Sequence, residues 1–252
     1  MKKLLRSCVL FFTVFYCSSC YRVALSSLGV LDKSVSLEKI SNTKKEVVFI
    51  PMHHIGKRDF YKDVKRVADS LQNIGYRFYY EGVRISPVKD SLKTDSLRRK
   101  MRYVLGADVF ALKSQGGYID TVNHTIFHKK LKILTKEDLV NQPPYIKMGI
   151  DTAKSTWADV YLSDMIPEFE KRFENIILTG CDFNTPLNEK YSCSNYKNKN
   201  GKNFLLIDYR NESVADKIMN DSNTKIAIIY GSKHYGGVLK VLQQHDSAWK
   251  KH

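Results

Sequence analysis

The sequence lacks an apolar stretch long enough to be a convincing membrane span, and it lacks acidic residues near its start. No Asp or Glu occurs before Asp32. The apolar region from Cys8 to Tyr16 is short, whereas a transmembrane helix needs about 20 apolar residues. Because the basic residues Lys2, Lys3 and Arg6 precede it, this region is typical of an export signal and carries no information about the fold.

The end of the signal resembles a bacterial lipoprotein processing site. Small residues at Ser18 and Ser19 precede Cys20. We therefore predict a signal peptide at residues 1–19 and a lipid-modified Cys20 that anchors the exported chain to a membrane of the cell envelope. Cleavage without lipidation and an uncleaved anchor are the alternatives.

Cysteine is scarce, and no Cys-x-x-Cys metal motif is present. The signal would remove Cys8 and Cys17 and lipid would modify Cys20, which leaves only Cys181 and Cys193. An oxidising compartment would permit a disulfide between these two. Two free thiols are the alternative.

Basic residues exceed acidic ones, with a formal net charge of +15 at pH 7. Such an excess favours anionic membrane surfaces and acidic ligands. The sequence contains no recognisable nucleic-acid-binding module and no repeat of alternating aromatic and basic residues. We therefore expect no nucleic-acid partner.

Two similar units near the ends of the chain indicate the fold. Ile226 to Tyr230 is an unbroken apolar run, typical of a strand buried on both faces of a parallel sheet, and a helix follows His234. Glu46 to Ile50 is a second such strand, and a helix follows His54. The predicted class is α/β: a largely parallel central sheet flanked by helices, with strand-His-x-Gly-helix units near both ends and a helical insertion between them.

The remaining elements follow from local patterns. We predict a tether and entry segment at residues 20–45 and one α/β domain at residues 46–252. Within this domain, helices are expected at 57–73 and from 162 onwards, with a basic surface helix inside 84–105. Strands are expected at 76–82, 107–112, 175–181 and 204–209. Residues 120–156 are either a lid over the site or a connecting segment.

Four polar residues are predicted to lie just after the carboxyl ends of strands, at one edge of the sheet. Open α/β sheets bind their ligands at this edge. The four residues are His54, Glu81, Arg210 and His234. Each also has a simpler interpretation: the histidines as hydrogen-bonded loop residues, Glu81 as a solvated strand end and Arg210 as a structural partner of a carboxylate.

Four short motifs occur in order along the chain: Met52-His53-His54-Ile55-Gly56, Tyr80-Glu81-Gly82-Val83, Tyr209-Arg210-Asn211-Glu212 and Gly231-Ser232-Lys233-His234. Together they resemble the TraB/PrgY/GumN family, which is related to the TIKI metalloproteases, with ChaN-like haem-binding lipoproteins and erythromycin esterases as more distant relatives. The resemblance covers roughly residues 46 to 244. The family has a pair of G-x-x-H motifs, and the first of them starts here with Pro51 in place of glycine, so the turn before His54 must differ.

The resemblance implies a site of His54, Glu81, Arg210 and His234, with Gln115 and Asp159 as further candidates. Two imidazoles and a carboxylate form a three-ligand set for a divalent metal such as zinc, manganese, cobalt or iron, with a position left for water. Arg210 would then stabilise the charge on the attacked oxygen.

Two assignments of the carboxylates remain open. In one, Glu81 is a metal ligand with His54 and His234. In the other, Glu81 is the general base and Asp159 completes the metal shell.

The expected function is that of an exported, metal-dependent hydrolase acting on an amide or ester bond of a peptide-like substrate. The alternatives are lipoproteins without turnover, one that binds haem or iron and one that captures a peptide.

Overall fold

The computed structural model describes residues 22–114, 118–120, 125–126, 129–130 and 138–252. Its strands in chain order are β1 (Glu38–Ser41), β2 (Glu46–Met52), β3 (Ile55–Lys57), β4 (Arg77–Tyr80), β5 (Ile119–Asp120), β6 (Thr125–Ile126), β7 (Lys129–Lys130), β8 (Leu139–Asn141), β9 (Thr156–Trp157), β10 (Lys225–Gly231) and β11 (Lys250–Lys251).

The helices lie mainly between β4 and β10. They are α1 (22–27), α2 (Arg58–Asn73), α3 (Ser91–Leu105), α4 (Val109–Ser114), α5 (Leu162–Arg172), α6 (Gly180–Asn184), α7 (Lys199–Asn203), α8 (Tyr209–Asn220) and α9 (Tyr235–His245). A π-helical segment at Phe204–Asp208 leads into α8, and 3-10 turns lie at Tyr145–Met148 and Ser232–His234.

The central sheet has six strands in the order β11-β1-β2-β10-β4-β9. β10 runs parallel to both β2 and β4, and β4 runs parallel to β9, while β1 and β11 extend the other edge in antiparallel fashion. The predicted α/β class with a largely parallel sheet is therefore confirmed. The two units at the ends of the chain meet at its centre, because β2 and β10 pair along their full lengths.

Both faces of this sheet are buried, as the unbroken apolar runs predict. Side chains alternate between faces along a strand. Val48, Ile50, Ala227 and Ile229 face α2 in one core cluster. The residues between them face α8 and α9 in a second cluster: Val47, Phe49, Ile226 and Ile228. A third cluster joins α3, α5 and the π-helical segment.

Most predicted bounds near the sheet are close to those observed. Helix α2 begins one residue later than predicted, β4 is shorter than the predicted 76–82, and α5 buries its predicted face of Leu162, Met165, Ile166 and Phe169. β2 continues through Pro51 to Met52, so the turn begins later than expected. A proline is tolerated here because β1 pairs with β2 only as far as Phe49.

Three predicted strands are wrong. Residues 107–112 lie mostly in α4, and residues 204–209 form the π-helical segment and the start of α8. Residues 175–179 have no regular structure, and α6 begins at Gly180. Short apolar runs fit a buried helix as well as a strand, and packing against α3 and α5 selects the helical form for Phe204 and Leu205.

Helix α3, predicted as a basic surface helix, has much of its basic face in contact with the rest of the chain, which corrects a further prediction. Arg102 is fully buried and donates to the backbone oxygens of Asp182, Thr185 and Pro186. Three more bases of α3 form ion pairs within the chain: Arg98 with Asp108, Arg99 with Asp95 and Lys100 with Glu170. Much of the positive charge of this helix is therefore used to hold neighbouring segments.

A disulfide joins Cys181 and Cys193, with their Cα atoms 6.0 Å apart. The loop that it closes is also anchored from within, because Asp182 is buried and caps α6 together with Thr179. The Tyr191 hydroxyl donates to Asp182 over 2.6 Å. The predicted disulfide is thus present. The loop that it closes is also fixed by hydrogen bonds from α3 and by hydrogen bonds among its own side chains.

Replacing both Cys181 and Cys193 with serine should lower the free energy of unfolding by about 2–3 kcal/mol, because the unfolded chain regains the freedom of an open loop. Urea unfolding followed by circular dichroism measures the change. Treating the unaltered protein with a reductant should produce a similar loss. Unchanged unfolding midpoints in both experiments would contradict the prediction.

The predicted signal peptide and Cys20 lie outside the described residues, as do Gln115 and most of residues 120–137. The predicted entry segment carries α1 and β1, so its second half belongs to the sheet. Among the helices of the described ranges, none combines the length and apolarity needed to cross a bilayer.

Candidate functional site

The carboxyl ends of β2, β4 and β10 lie side by side and form one edge of the sheet. Met52 pairs with Gly231, and Ile229 pairs with Tyr80. His54, Glu81 and His234 follow these three strand ends within a few residues. We call this edge the polar rim. It holds the predicted site residues His54, Glu81 and His234, as expected for a parallel sheet.

Arg210 reaches the polar rim from the first turn of α8 and not from a strand end, which corrects the predicted setting. Its guanidinium donates to Asp159 Oδ1 over 2.9 Å and to Asp159 Oδ2 over 2.8 Å. It also donates to Glu81 Oε1 over 2.5 Å. The side chains of Arg210, Glu81 and Asp159 are only 11, 14 and 0% exposed, so one cation neutralises two largely buried carboxylates.

Asp159 has a full set of partners, although burial opposes its charge. Burial by itself would raise the pKa of Asp159, but the charge and hydrogen bonds of Arg210 and the amide of Gly82 lower it below its ordinary value. The Gly82 amide donates to Oδ2 over 2.8 Å, and the Val160 amide donates to Oδ1 over 3.0 Å. Asp159 is therefore a carboxylate held in place by Arg210 and two backbone amides.

Glu81 is bound on both carboxylate oxygens. Arg210 occupies Oε1, and the Gly231 amide donates to Oε2 over 2.7 Å. The backbone oxygen of Glu81 accepts a hydrogen bond from the Tyr145 hydroxyl over 2.8 Å. The end of β4 is thereby tied to the end of β10 and to the 3-10 turn beside α2.

His234 is buried, 3% exposed, and its ring centroid lies 4.7 Å from that of Tyr230 in an edge-to-face arrangement. Its Nδ1 atom is 2.8 Å from Asn211 Oδ1. Because an amide oxygen only accepts, Nδ1 carries the proton and Nε2 keeps its lone pair. Burial and the charge of Arg210 lower the pKa of His234 to about 4, although Glu81 and Asp159 act in the opposite direction.

Asn211 is held in place by a close approach of α9 to α8. A Cβ atom added at Gly237 would lie 1.9 Å from Asn211 Nδ2. Only glycine leaves room for this amide, which is 3% exposed. Gly237 therefore fixes Asn211, and Asn211 fixes the ring of His234. Within the described part of the chain Nε2 of His234 makes no hydrogen bond.

His54 differs from His234 because it is exposed. Its ring stacks on Tyr118, with centroids 4.9 Å apart. Burial and the charge of Glu81 raise the pKa of Tyr118, so the Tyr118 hydroxyl lies within the electrostatic reach of Glu81. His54 thus lies on the open side of the polar rim, outside the hydrogen-bonded cluster.

The three predicted metal ligands do not form a metal-binding group in this arrangement. Among the described residues there is no cluster of three or more His, Cys, Asp or Glu side chains that could hold a metal ion. Glu81 is paired with Arg210, and His54 is turned towards Tyr118. The divalent metal stays a prediction, and we derive no chemical step through it.

Sequence reasoning missed the residues that orient the site. Asn211 belongs to the third motif, Tyr209-Arg210-Asn211-Glu212. A strand at residues 204–209 does not predict that its side chain contacts His234. Tyr145 and Gly237 carry no chemistry of their own, and only the contacts in space show their roles.

The fold and the polar rim together define an α/β protein with a buried ionic and histidine cluster at the carboxyl edge of its parallel strands. No protein-family model matches this chain, and no curated protein or solved structure matches it. The resemblance to the TraB/PrgY/GumN family therefore rests on the four motifs alone and stays a prediction.

Proposed function

We propose that the polar rim is the active site of a hydrolase that cleaves an amide or ester bond in a peptide-like substrate. The observation that carries the proposal is the state of His234. This imidazole is neutral, it is oriented by Asn211, and its Nε2 lone pair has no hydrogen-bond partner in the described residues. A neutral imidazole held in this orientation can accept a proton as a general base, and its lowered pKa makes it a weaker base than a free histidine.

In this proposal Nε2 of His234 removes a proton from the attacking water, and the bond to Asn211 keeps that nitrogen directed towards the substrate. The imidazolium formed in this step is a buried cation. The charges of Glu81 and Asp159 favour this cation, whereas burial and the charge of Arg210 oppose it more strongly and lower the pKa of His234. His234 can then return the proton to the leaving group.

Arg210 holds Glu81 and Asp159 in this mechanism. Its guanidinium already donates to both carboxylates, so its main role is to orient them. Its predicted contact with the developing oxyanion stays a prediction. His54, on the open side of the rim, is placed to contact a substrate.

We also propose that the chain works outside the cytoplasm, attached to a membrane through Cys20. The disulfide between Cys181 and Cys193 supports this location, because such bonds persist mainly in oxidising compartments.

The test is turnover of a peptide and ester library by the purified protein, with products identified by mass spectrometry. Changing His234 to Gln should reduce turnover by at least about 100-fold, the usual contribution of a general base. His245→Gln is the matched control, because His245 is an exposed histidine at the end of α9. Equal turnover in the unaltered protein and the His234 variant would exclude the proposed role.

The same assay separates the other predicted functions. Activity that is lost in EDTA and restored by zinc, manganese, cobalt or iron would establish the divalent metal. Peptide binding that persists in EDTA without cleavage would favour peptide capture. A Soret band on adding haem, lost when His54 or Tyr118 is changed, would favour a haem-binding lipoprotein.

A further inference from the structure

A surface cavity of about 590 Å³ shares no residue with the polar rim. The end of α3, the end of α5 and the segment after the disulfide form its walls. This volume lies within the range of small-molecule sites. Its lining is mainly polar and includes Tyr103, Arg172, Glu174, Ser194 and Lys197.

The walls of this cavity are held rigidly. Tyr196 is 4% exposed, packs on Phe169, and its amide donates to the backbone oxygen of Tyr103 over 3.1 Å. The disulfide at Cys193 fixes the chain just before Ser194. The segment from Ser194 to Asn198 is therefore fixed at Cys193 and at Tyr196, so the binding surface is largely formed before a ligand arrives.

Arg172 is also held in position. Its guanidinium lies 4.8 Å from the centroid of the Phe204 ring, and it pairs with Glu212 over 3.6 Å. Its side chain remains 47% exposed, so donor atoms are left for a ligand. Lys197 donates to Asn195 over 2.9 Å, and an ammonium group has further hydrogens to donate.

Several polar groups of the lining have unused hydrogen-bonding capacity. The Glu174 carboxylate, the Ser194 hydroxyl and the Tyr103 hydroxyl make no hydrogen bond to any described residue. These groups offer both donors and acceptors. Such a mixture suits a ligand with many hydroxyl groups, each of which both donates and accepts.

We propose that this cavity binds a carbohydrate that carries an anionic group, such as a uronic acid. The lining carries Arg172 and Lys197 against the single carboxylate of Glu174, the pair of Arg172 with Glu212 is exposed and 3.6 Å long, and the whole chain is strongly basic. The aromatic rings give a nucleotide base little to stack on: Phe173 stacks on Phe169, Tyr196 is 4% exposed, and Tyr103 is half-buried with its ring centroid 6.4 Å from that of Tyr196. Recognition would therefore be polar, through hydroxyl and carboxylate groups.

Isothermal titration calorimetry with the whole protein tests the proposal. The probes are a uronic-acid disaccharide, the corresponding neutral disaccharide, inorganic phosphate and adenosine monophosphate. We expect saturable binding of the acidic disaccharide alone. Arg172→Gln should weaken it about tenfold or more, as for a lost hydrogen bond to a charged group. Lys240→Gln on the exposed face of α9 should leave it unchanged.

Equal binding of the neutral disaccharide would overturn the anionic preference, and competition by phosphate or the nucleotide at similar concentrations would show a general anion site. Failure of the acidic disaccharide to bind would overturn the proposal itself. Thermal unfolding checks that Arg172→Gln folds normally. These outcomes are separate from the hydrolase proposal, because Arg172 is not a residue of the polar rim.

Discussion

Replacing Arg210 with methionine should lower the free energy of unfolding by about 3–5 kcal/mol, the usual result of removing one partner from a buried ion pair. Without the guanidinium, the carboxylates of Glu81 and Asp159 would remain beside each other with little access to water. Their side chains are 14 and 0% exposed. Urea unfolding at pH 7 measures the loss.

The matched control is Arg58→Met. Arg58 pairs with Asp138 over 3.5 Å, but their side chains are 58 and 64% exposed. An exposed pair of this kind contributes at most about 1 kcal/mol. If the Arg210 and Arg58 variants lose equal stability, the polar rim is not a buried ionic cluster.

A double variant separates the charge of Asp159 from other effects. Asp159→Asn removes the buried charge and keeps one acceptor oxygen, so only one of the amides of Gly82 and Val160 can keep its hydrogen bond. Combining it with Arg210→Met should therefore cost less than the sum of the two single changes, with a coupling of at least about 1 kcal/mol. Additive losses would show that Asp159 and Arg210 act independently.

The centre of the fold could be predicted because β2 and β10 are apolar on both faces. That pattern occurs where helices cover a parallel sheet on two sides. The helices after each strand supply those layers, so local patterns and tertiary packing agree. The same agreement places His54 and His234 at one edge of the sheet.

The region between β4 and β10 was predicted less well, because its apolar runs are short. Phe204 to Ile207 has no periodicity that separates strand from helix. In the structure Phe204 and Leu205 are buried, whereas Leu206 is 42% exposed. A one-sided pattern of this kind suits a helix lying on α3 and α5, and only tertiary contacts reveal it.

The helical course of residues 204–220 changes the interpretation of the site. Arg210 and Asn211 are adjacent in sequence but serve different partners, because successive side chains of a helix point about 100° apart. Arg210 turns to the two carboxylates and Asn211 turns to His234. A strand would have directed them to opposite faces, and no pairing of Asn211 with His234 would have been expected.

The stability of the protein should fall as the pH is lowered from about 6.5 to about 4, and His234 should account for about 3 kcal/mol of this fall. Burial and Arg210 lower the pKa of His234 to about 4, whereas a histidine in the unfolded chain titrates near 6.5. Between these values the unfolded state binds a proton that the folded state does not. The contribution of His234 to the free energy of unfolding is therefore complete above about pH 6.5, and it is lost as the pH falls towards about 4.

The measurement is the free energy of unfolding between pH 4 and pH 8, for the unaltered protein and for His234→Gln. Charged groups from three elements face His234, namely Arg210, Glu81 and Asp159. These groups are present in both proteins, so the difference between the two curves isolates the imidazole. That difference should change by about 3 kcal/mol across the interval. Parallel stability–pH curves would mean that His234 is not a buried, neutral imidazole, and they would contradict its assignment as the general base.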